Sequence, residues 1–245
     1  MKKRKSLAPG ALMAPIPPAI VTVGNMEKAN MLTVAWTGIL ATHPPRTYVS
    51  VRPERYSHGI LKAGGEFVIN LPSAKMARTV DFVGIYTGGK IDKFERTGLT
   101  KIESEKVQPP TVGECPIALE CRVCEMLPMG THDVFIADIL SVSCREDIMD
   151  GDGRLLYEKA DLLAYAHGEY YALGEKLGKF GFSTDKGKKK ERTDKKPEIA
   201  KESKPIVSKD SKKESPFYKG MPKGKSKKKS GPDKGKPHGK GGRAK

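Results

Sequence analysis

The chain has 245 residues, with 45 Lys+Arg against 29 Asp+Glu and a net charge of +16. All of that excess lies between Lys186 and Lys245, where 23 basic residues face 7 acidic ones, so the first 185 residues carry 22 of each sign. This excludes treating the basic pI as a property of one folded domain, and the lack of any run of about 18 apolar residues excludes a membrane-spanning helix.

Residues 1–13 read as a basic N-terminal extension. Met1-Lys2-Lys3-Arg4-Lys5 has the charge of a signal peptide's start, but Pro9, Pro15, Pro17 and Pro18 interrupt the apolar stretch that follows. Secretion is not expected, and the four cysteines are expected to be reduced thiols in the cytoplasm. Residues 14–185 suit one domain and read mainly as strands. Ala19–Gly24 and Met31–Leu40 are β-branched and aromatic, Thr47–Arg52 follows the turn signal His43-Pro44-Pro45, and Glu66–Leu71 ends at Pro72. Short helices fit Ser57–Ala63 and Ser73–Val83. Ile117–Met126 and His132–Cys144 are long strands joined by the turn Leu127-Pro128-Met129-Gly130, and Asp150-Gly151-Asp152-Gly153 is a turn before a last strand around Leu162–Tyr165. Many strands with short turns and few helices predict a closed or nearly closed antiparallel barrel. Residues 186–245 hold eight glycines, six prolines and only Phe217 and Tyr218 as aromatics, too little apolar surface to offset chain entropy, so a disordered Lys-rich tail is expected. Its clusters, such as Lys225-Ser226-Lys227-Lys228-Lys229, suit nonspecific contact with nucleic acid or another polyanion. A solubilising appendage without a partner is the other reading.

Local patterns then follow in a telling order: Asn30-Met31-Leu32-Thr33-Val34-Ala35-Trp36, Tyr48-Val49-Ser50-Val51-Arg52-Pro53-Glu54-Arg55-Tyr56-Ser57, Phe67-Val68-Ile69-Asn70-Leu71-Pro72, and Gly84 through Asp92-Lys93-Phe94. Glu114-Cys115-Pro116-Ile117-Ala118-Leu119-Glu120-Cys121 and Gly130-Thr131-His132-Asp133-Val134-Phe135-Ile136-Ala137 complete the set. The ordered set resembles the flavin reductase-like family with the FMN-binding split barrel, and is most similar to its flavoredoxin branch, from about Ala14 to Leu173. The resemblance implies a mainly β, antiparallel Greek-key split barrel with short helices, a homodimer, and FMN bound near the subunit interface. The flavin would be reduced by NADH or NADPH or by a redox partner protein, with free flavin, oxygen or a partner protein as acceptor. The expectation is an FMN-binding oxidoreductase, a flavin reductase or flavoredoxin-like carrier. The alternative is a flavoprotein whose basic tail gives it a polyanion-binding role with little catalysis of its own.

An FMN site needs a phosphate cradle, a flat apolar slot and polar groups at the ring edge. Ser57 opens a short helix after Arg52 and Arg55, and a helix N-terminus beside a guanidinium suits phosphate. The resemblance puts phosphate contact on Tyr56-Ser57; the residues alone equally allow Ser57 as a helix cap. Trp36, the only Trp, is expected on a strand face with Val34 and Gly38. On the residues alone it is a core side chain, and the resemblance sets it beside the flavin with Asn30 and Thr33 nearby. Ser50, Val51 and Arg52 end a strand where backbone amides can meet the ring's polar edge. Asn70 either pins a turn or contacts the ligand. Lys93 would stabilise the anionic reduced ring at its pyrimidine edge, against a reading as a surface lysine paired with Asp92.

His132 follows a turn, where the family often has Gly-Asp-His. Here Thr131 precedes it and Asp133 follows, and adjacent strand residues point to opposite faces. Ring contact, nicotinamide positioning and turn structure all stay open for His132. Tyr165 is an aromatic contact from the C-terminal part of the barrel, or barrel packing. Lys93 and His132 are the candidates for a part in the chemistry. Cys121-Arg122-Val123-Cys124 lies on a predicted strand, which turns its two thiols to opposite faces, so no metal site is expected. Thr87-Gly88-Gly89-Lys90 lacks the Walker spacing and reads as a loop feeding Asp92-Lys93-Phe94. No dinucleotide fingerprint occurs, so a nicotinamide would bind without a Rossmann domain.

Overall fold

A computed structural model of the chain describes residues 2–184. The expected basic tail, residues 186–245, and its expected disorder and polyanion contact lie outside the described residues.

Strand β1 (Ala19–Val23) is Ala-Ile-Val-Thr-Val and is buried at every position. Its alternation distributes side chains between two cores. Ala19, Val21 and Val23 enter one core with Leu32, Val34, Val49, Phe67 and Phe135. Ile20 enters a second with Met31, Val80, Val83 and Phe94. β1 pairs antiparallel with β2 (Asn30–Val34) on one side and β5 (Glu66–Leu71) on the other. The sheet continues through β8 (Ile117–Pro128), β9 (Asp133–Cys144) and β4 (Pro45–Val51) to β3 (Thr37–Thr42). All neighbours are antiparallel, in the order β2-β1-β5-β8-β9-β4-β3.

The two edge strands, β2 and β3, are joined only by Ala35 and Trp36. A flat seven-stranded sheet would hold them about 29 Å apart, at roughly 4.8 Å per strand, whereas so short a link spans about 11 Å at most. The sheet therefore curls until its edges approach, and the seam between them is the split in the barrel. The expected single strand Met31–Leu40 is corrected here. It breaks at Ala35-Trp36 because the chain crosses from one edge to the other, so Trp36 shares no strand face with Val34 and Gly38. The Trp36 carbonyl instead accepts from the Ser50 N–H at 3.0 Å.

Helix α1 (Tyr56–Gly64) lays Leu61 on the first core and stops at Gly65, whose φ of 66° only glycine adopts without strain. The expected helix Ser73–Val83 is a 3₁₀ turn at Ala74–Met76 followed by α2 (Ala77–Ile85). α2 sets Val80 and Val83 on the second core beside Phe94 of α3 (Lys93–Thr97).

The segment after α3, with the two-residue strands β6 (Lys101–Ile102) and β7 (Thr111–Val112), is pinned by buried polar side chains. Thr22 Oγ1 donates to the Pro110 carbonyl at 2.5 Å, and Glu120 accepts from the Glu105 and Lys106 N–H groups at 3.0 and 2.6 Å. Asn70 Oδ1 accepts from the Val112 N–H at 2.8 Å while its Nδ2 donates to the Ile20 carbonyl at 2.9 Å. Asn70 is fully buried, so its polar atoms serve backbone groups of the fold.

After the short helix α4 (Tyr157–Ala160), a hairpin of β10 (Leu163–Ala166) and β11 (Glu169–Ala172) turns on His167 and Gly168, with φ of 47° and 100°. Two successive positive φ values match the twist of a tight hairpin. Tyr165 also bonds through its backbone to Ile16, at 2.9 Å in both directions. Among the described residues no helix is long and apolar enough to cross a membrane.

Asn70→Ala is expected to lower the unfolding free energy by roughly 2–4 kcal/mol in urea titration, since it orphans the Val112 N–H and leaves a cavity. A loss below about 1 kcal/mol would contradict this role.

Candidate functional site

Arg55 occupies the N-cap position of α1 but makes no side-chain cap bond, and the first turn holds no acidic residue. The His58 N–H bonds to the Arg55 carbonyl at 2.8 Å, and the N–H groups of Tyr56 and Ser57 are the ones open to an anion. Ser57 lies inside the helix, which corrects its reading as a cap. It is buried, and its Oγ accepts from Asn30 Nδ2 at 2.6 Å, so the hydroxyl hydrogen remains to donate outward. The loop after α2 closes over this pair. A Cβ on Gly88 would stand 2.0 Å from Asn30 Oδ1, and one on Gly89 3.3 Å from the Tyr56 ring. Only glycine at position 88 allows that approach.

Lys93 is the first residue of α3, whose cap is Asp92, accepting from the Glu95 N–H at 3.1 Å. Asp92 is therefore engaged, and Lys93 is not a surface lysine: it is 4 % exposed. Its Nζ donates to the Met31 and Val83 carbonyls at 2.7 and 2.8 Å, leaving one of three ammonium hydrogens for a ligand. Burial, and then the neighbouring Arg55, lower its pKa to about 8. Arg52, Arg55, Tyr56, Ser57, Thr87, Gly88 and Lys93 wall a cavity of about 200 Å³. Its one acidic wall residue, Glu54, is paired with Arg52 at 3.3 Å. This end of the site sets three cations, Arg52, Arg55 and Lys93, against that single carboxylate.

A second depression of about 350 Å³ is walled by Trp36, Ser50, Val51, His132 and Tyr165, and shares Leu32, Thr33, Arg52 and Arg55 with the first. The two form one cleft along the barrel seam, with a basic end and an aromatic end. The basic end is smaller than the roughly 300–1,000 Å³ of ordinary ligand pockets, so an elongated ligand fits by using both. Trp36 is 42 % exposed, and its ring lies 4.5 Å from that of His132 at a tilt of 42°. His132 Nδ1 and Thr131 Oγ1 are hydrogen-bonded at 2.9 Å. Burial, then the positive field of Arg52, hold the His132 pKa below its ordinary value against the opposing pull of Glu54. The imidazole is thus neutral near pH 7.

Thr33, Trp36, Ser50, Val51, Arg52, Tyr56, Ser57, Lys93, His132 and Tyr165 all line the cleft, and Asn30 stands behind Ser57. Three expected placements change. Asn70 stays out of the cleft, held by the backbone contacts above. Lys93 lies at the basic end with Arg55 and Ser57, away from Trp36 and His132, because α3 packs under β2 and α2. The Ser50 N–H is already taken by the Trp36 carbonyl, so it is not free to meet a ligand edge. Arg55, Thr87 and Gly88 are wall residues that the sequence underplayed; the Gly-Gly step just before Asp92-Lys93-Phe94 was their signal. Cys121 sits in the first core, where burial raises its thiol to about 12. Cys124 is exposed, with its sulfur 3.4 Å from the Ile136 carbonyl.

A protein of Archaeoglobus fulgidus, itself uncharacterized, is 35% identical over 136 residues, which is 56% of this chain and 77% of that protein. The structure of a flavoredoxin of Desulfovibrio vulgaris (Miyazaki F) superposes with a TM-score of 0.70 at 34% identity, covering 74% of this chain and all (100%) of the other. That of an FMN-binding protein of Thermus thermophilus, with bound 1-cyclohex-2-enone, gives 0.62 at 25% identity over 73% of this chain and 99% of the other. The family described as flavin reductase like domain matches residues 13–174. A match over nearly all the described residues, on a barrel shared with these structures, settles the point: the chain belongs to the flavin reductase like domain family.

Proposed function

We propose that the protein is an FMN-binding oxidoreductase of the flavin reductase or flavoredoxin type. It takes electrons from NADH or NADPH, or from a redox protein, and passes them to free flavin or a partner protein. The observation that carries this is the polarity of the cleft: three cations at a helix N-terminus, the buried Lys93 with the exposed Arg52 and Arg55, run into an open end walled by aromatic rings. A planar ligand bearing a phosphate matches both ends, and the flavoredoxin and FMN-binding structures support FMN as that ligand.

Bound FMN supplies reversible acceptance of electrons, and the protein supplies position and field. The first-turn N–H groups of α1, the Ser57 hydroxyl, Arg55 and Lys93 Nζ hold the phosphate. Asn30 occupies a lone pair of Ser57, so the serine acts as donor. Trp36 and Tyr165 wall the aromatic end against water. His132, kept neutral, offers Nε2 for a hydrogen bond at the ligand edge without adding charge, since Nδ1 is engaged by Thr131.

A second copy of the chain is the proposed partner. Ile39 and Leu40 on edge strand β3 and Val142 on β9 are exposed apolar side chains, and apolar exposure on an edge strand supports self-association. The four free cysteines support a reducing, cytoplasmic setting.

Purified protein mixed with FMN is expected to co-elute with a yellow flavin spectrum and to bleach anaerobically on adding NADH, NADPH or a reduced carrier protein. Failure to bind FMN would refute the proposal. Gly88→Ala pushes the loop off Asn30 and Ser57, and is expected to weaken FMN roughly tenfold or more, by about 1.4 kcal/mol, while riboflavin is little affected. Equal losses for the two flavins would contradict a phosphate cradle at this end.

A further inference from the structure

His58 and Asp133 come from elements 75 positions apart, yet His58 Nε2 and Asp133 Oδ2 lie 2.8 Å apart with side chains 9 % and 14 % exposed. The pair lines neither end of the cleft. His58 follows Ser57 on α1, and its ring packs edge-on against Phe135 in the first core at 5.3 Å. Asp133 follows His132 and opens β9, where it pairs with Val51 of β4 and Pro128 of β8. Each partner is therefore one residue from a cleft side chain, one at the basic end and one at the aromatic end. The pleat turns Asp133 inward and leaves His132 facing the cleft.

We propose that the His58–Asp133 bond is a positioning brace that fixes the entry of β9 against the N-terminus of α1 and so holds His132 on Trp36. Its functional meaning rests on the flavin site proposed above; its geometry does not. The turn before β9 is an exposed one, with Gly130 at a φ of 77° and a backbone bond of 2.7 Å from the Met129 N–H to the His132 carbonyl, beyond the β8–β9 pairing of Pro128 with Asp133. Bonds at an exposed turn fix a ring less well than a buried side-chain hydrogen bond in a low-dielectric interior.

Trp36 is the only tryptophan, and a protonated imidazole in contact quenches indole fluorescence while a neutral one does not. The quench titrates with His132, which faces Arg52, Glu54, Arg55 and Thr131. The test uses the full-length chain freed of flavin, with fluorescence followed against pH. His132→Gln removes the pH-dependent quench and assigns it. His58→Leu is expected to reduce its amplitude about twofold or more through misplacement of the ring. His58→Gln, which keeps a donor for Asp133, is expected to retain it. Equal loss in the two His58 variants, or loss in neither, overturns the brace. Should His58→Leu fail to fold, Asp133→Ala, which removes the acceptor of the His58 bond, takes the same measurement. An unchanged amplitude there overturns the proposal, and a fall of about twofold supports it. FMN binding to the unmodified chain is measured separately, so its failure would remove the flavin site and leave the fluorescence result standing.

Discussion

The structure depends on one constraint of chain length. Edge strands β2 and β3 are successive in the sequence and separated by Ala35 and Trp36 alone, so the sheet has no choice but to curl. Closure puts Thr33 near the end of β2, Trp36 in the link and Ser50 opposite it on β4, all at one seam. The cleft is therefore a product of the fold's closure and not a groove added to it. α1 and α2 then pack beside the same seam and bring a helix N-terminus and a glycine loop to the open strand ends.

The basic end shows what such a site costs. Lys93 is nearly excluded from solvent, held by two carbonyls and pushed toward neutrality by burial and by Arg55. An ammonium group without a carboxylate is an unfavourable thing to bury. The same arrangement makes the cavity avid for an anion, because a phosphate returns the opposite charge that the fold withholds. Stability given up at a binding site is a common compromise in natural proteins.

How much of this could be read from the residues follows from the kind of signal each element carries. β5 was readable over its whole length, Glu66–Leu71, because β-branched and aromatic residues end abruptly at Pro72. α1 was readable to within a residue at each end. The break at Ala35-Trp36 was not, since nothing in an unbroken β-forming run marks the place where the chain must change edges. β6 and β7 are two residues each, too short for any periodicity. Among the residues that line the cleft, Trp36, Ser57 and His132 are picked out by resemblance to a family, while local pattern leaves each with a plain structural reading. Asn70 and Lys93 each carry two readings in the sequence. Asn70, a turn residue or a ligand contact on its residues alone, is fully engaged by the fold, and Lys93, a ligand contact or a surface lysine, is buried in the wall of the cleft. Both depend on segments distant in sequence, the loop carrying Val112 for one and the packing of α3 under β2 for the other. His58 and Asp133 likewise become a pair only in three dimensions.

Recognition of a phosphate by Lys93 and its neighbours is measured most directly by the affinity difference between FMN and riboflavin as a function of pH. A flavin phosphate stays dianionic above its second ionisation near pH 6, so in the alkaline range the change falls on the protein. Protonated Lys93 binds the phosphate and the neutral amine does not, so the FMN advantage should be full near pH 7 and shrink as pH rises through about 8, where the free lysine loses its proton. Riboflavin affinity should stay level over the same range. An FMN advantage that is absent near pH 7, or that is constant across this range, would contradict the account.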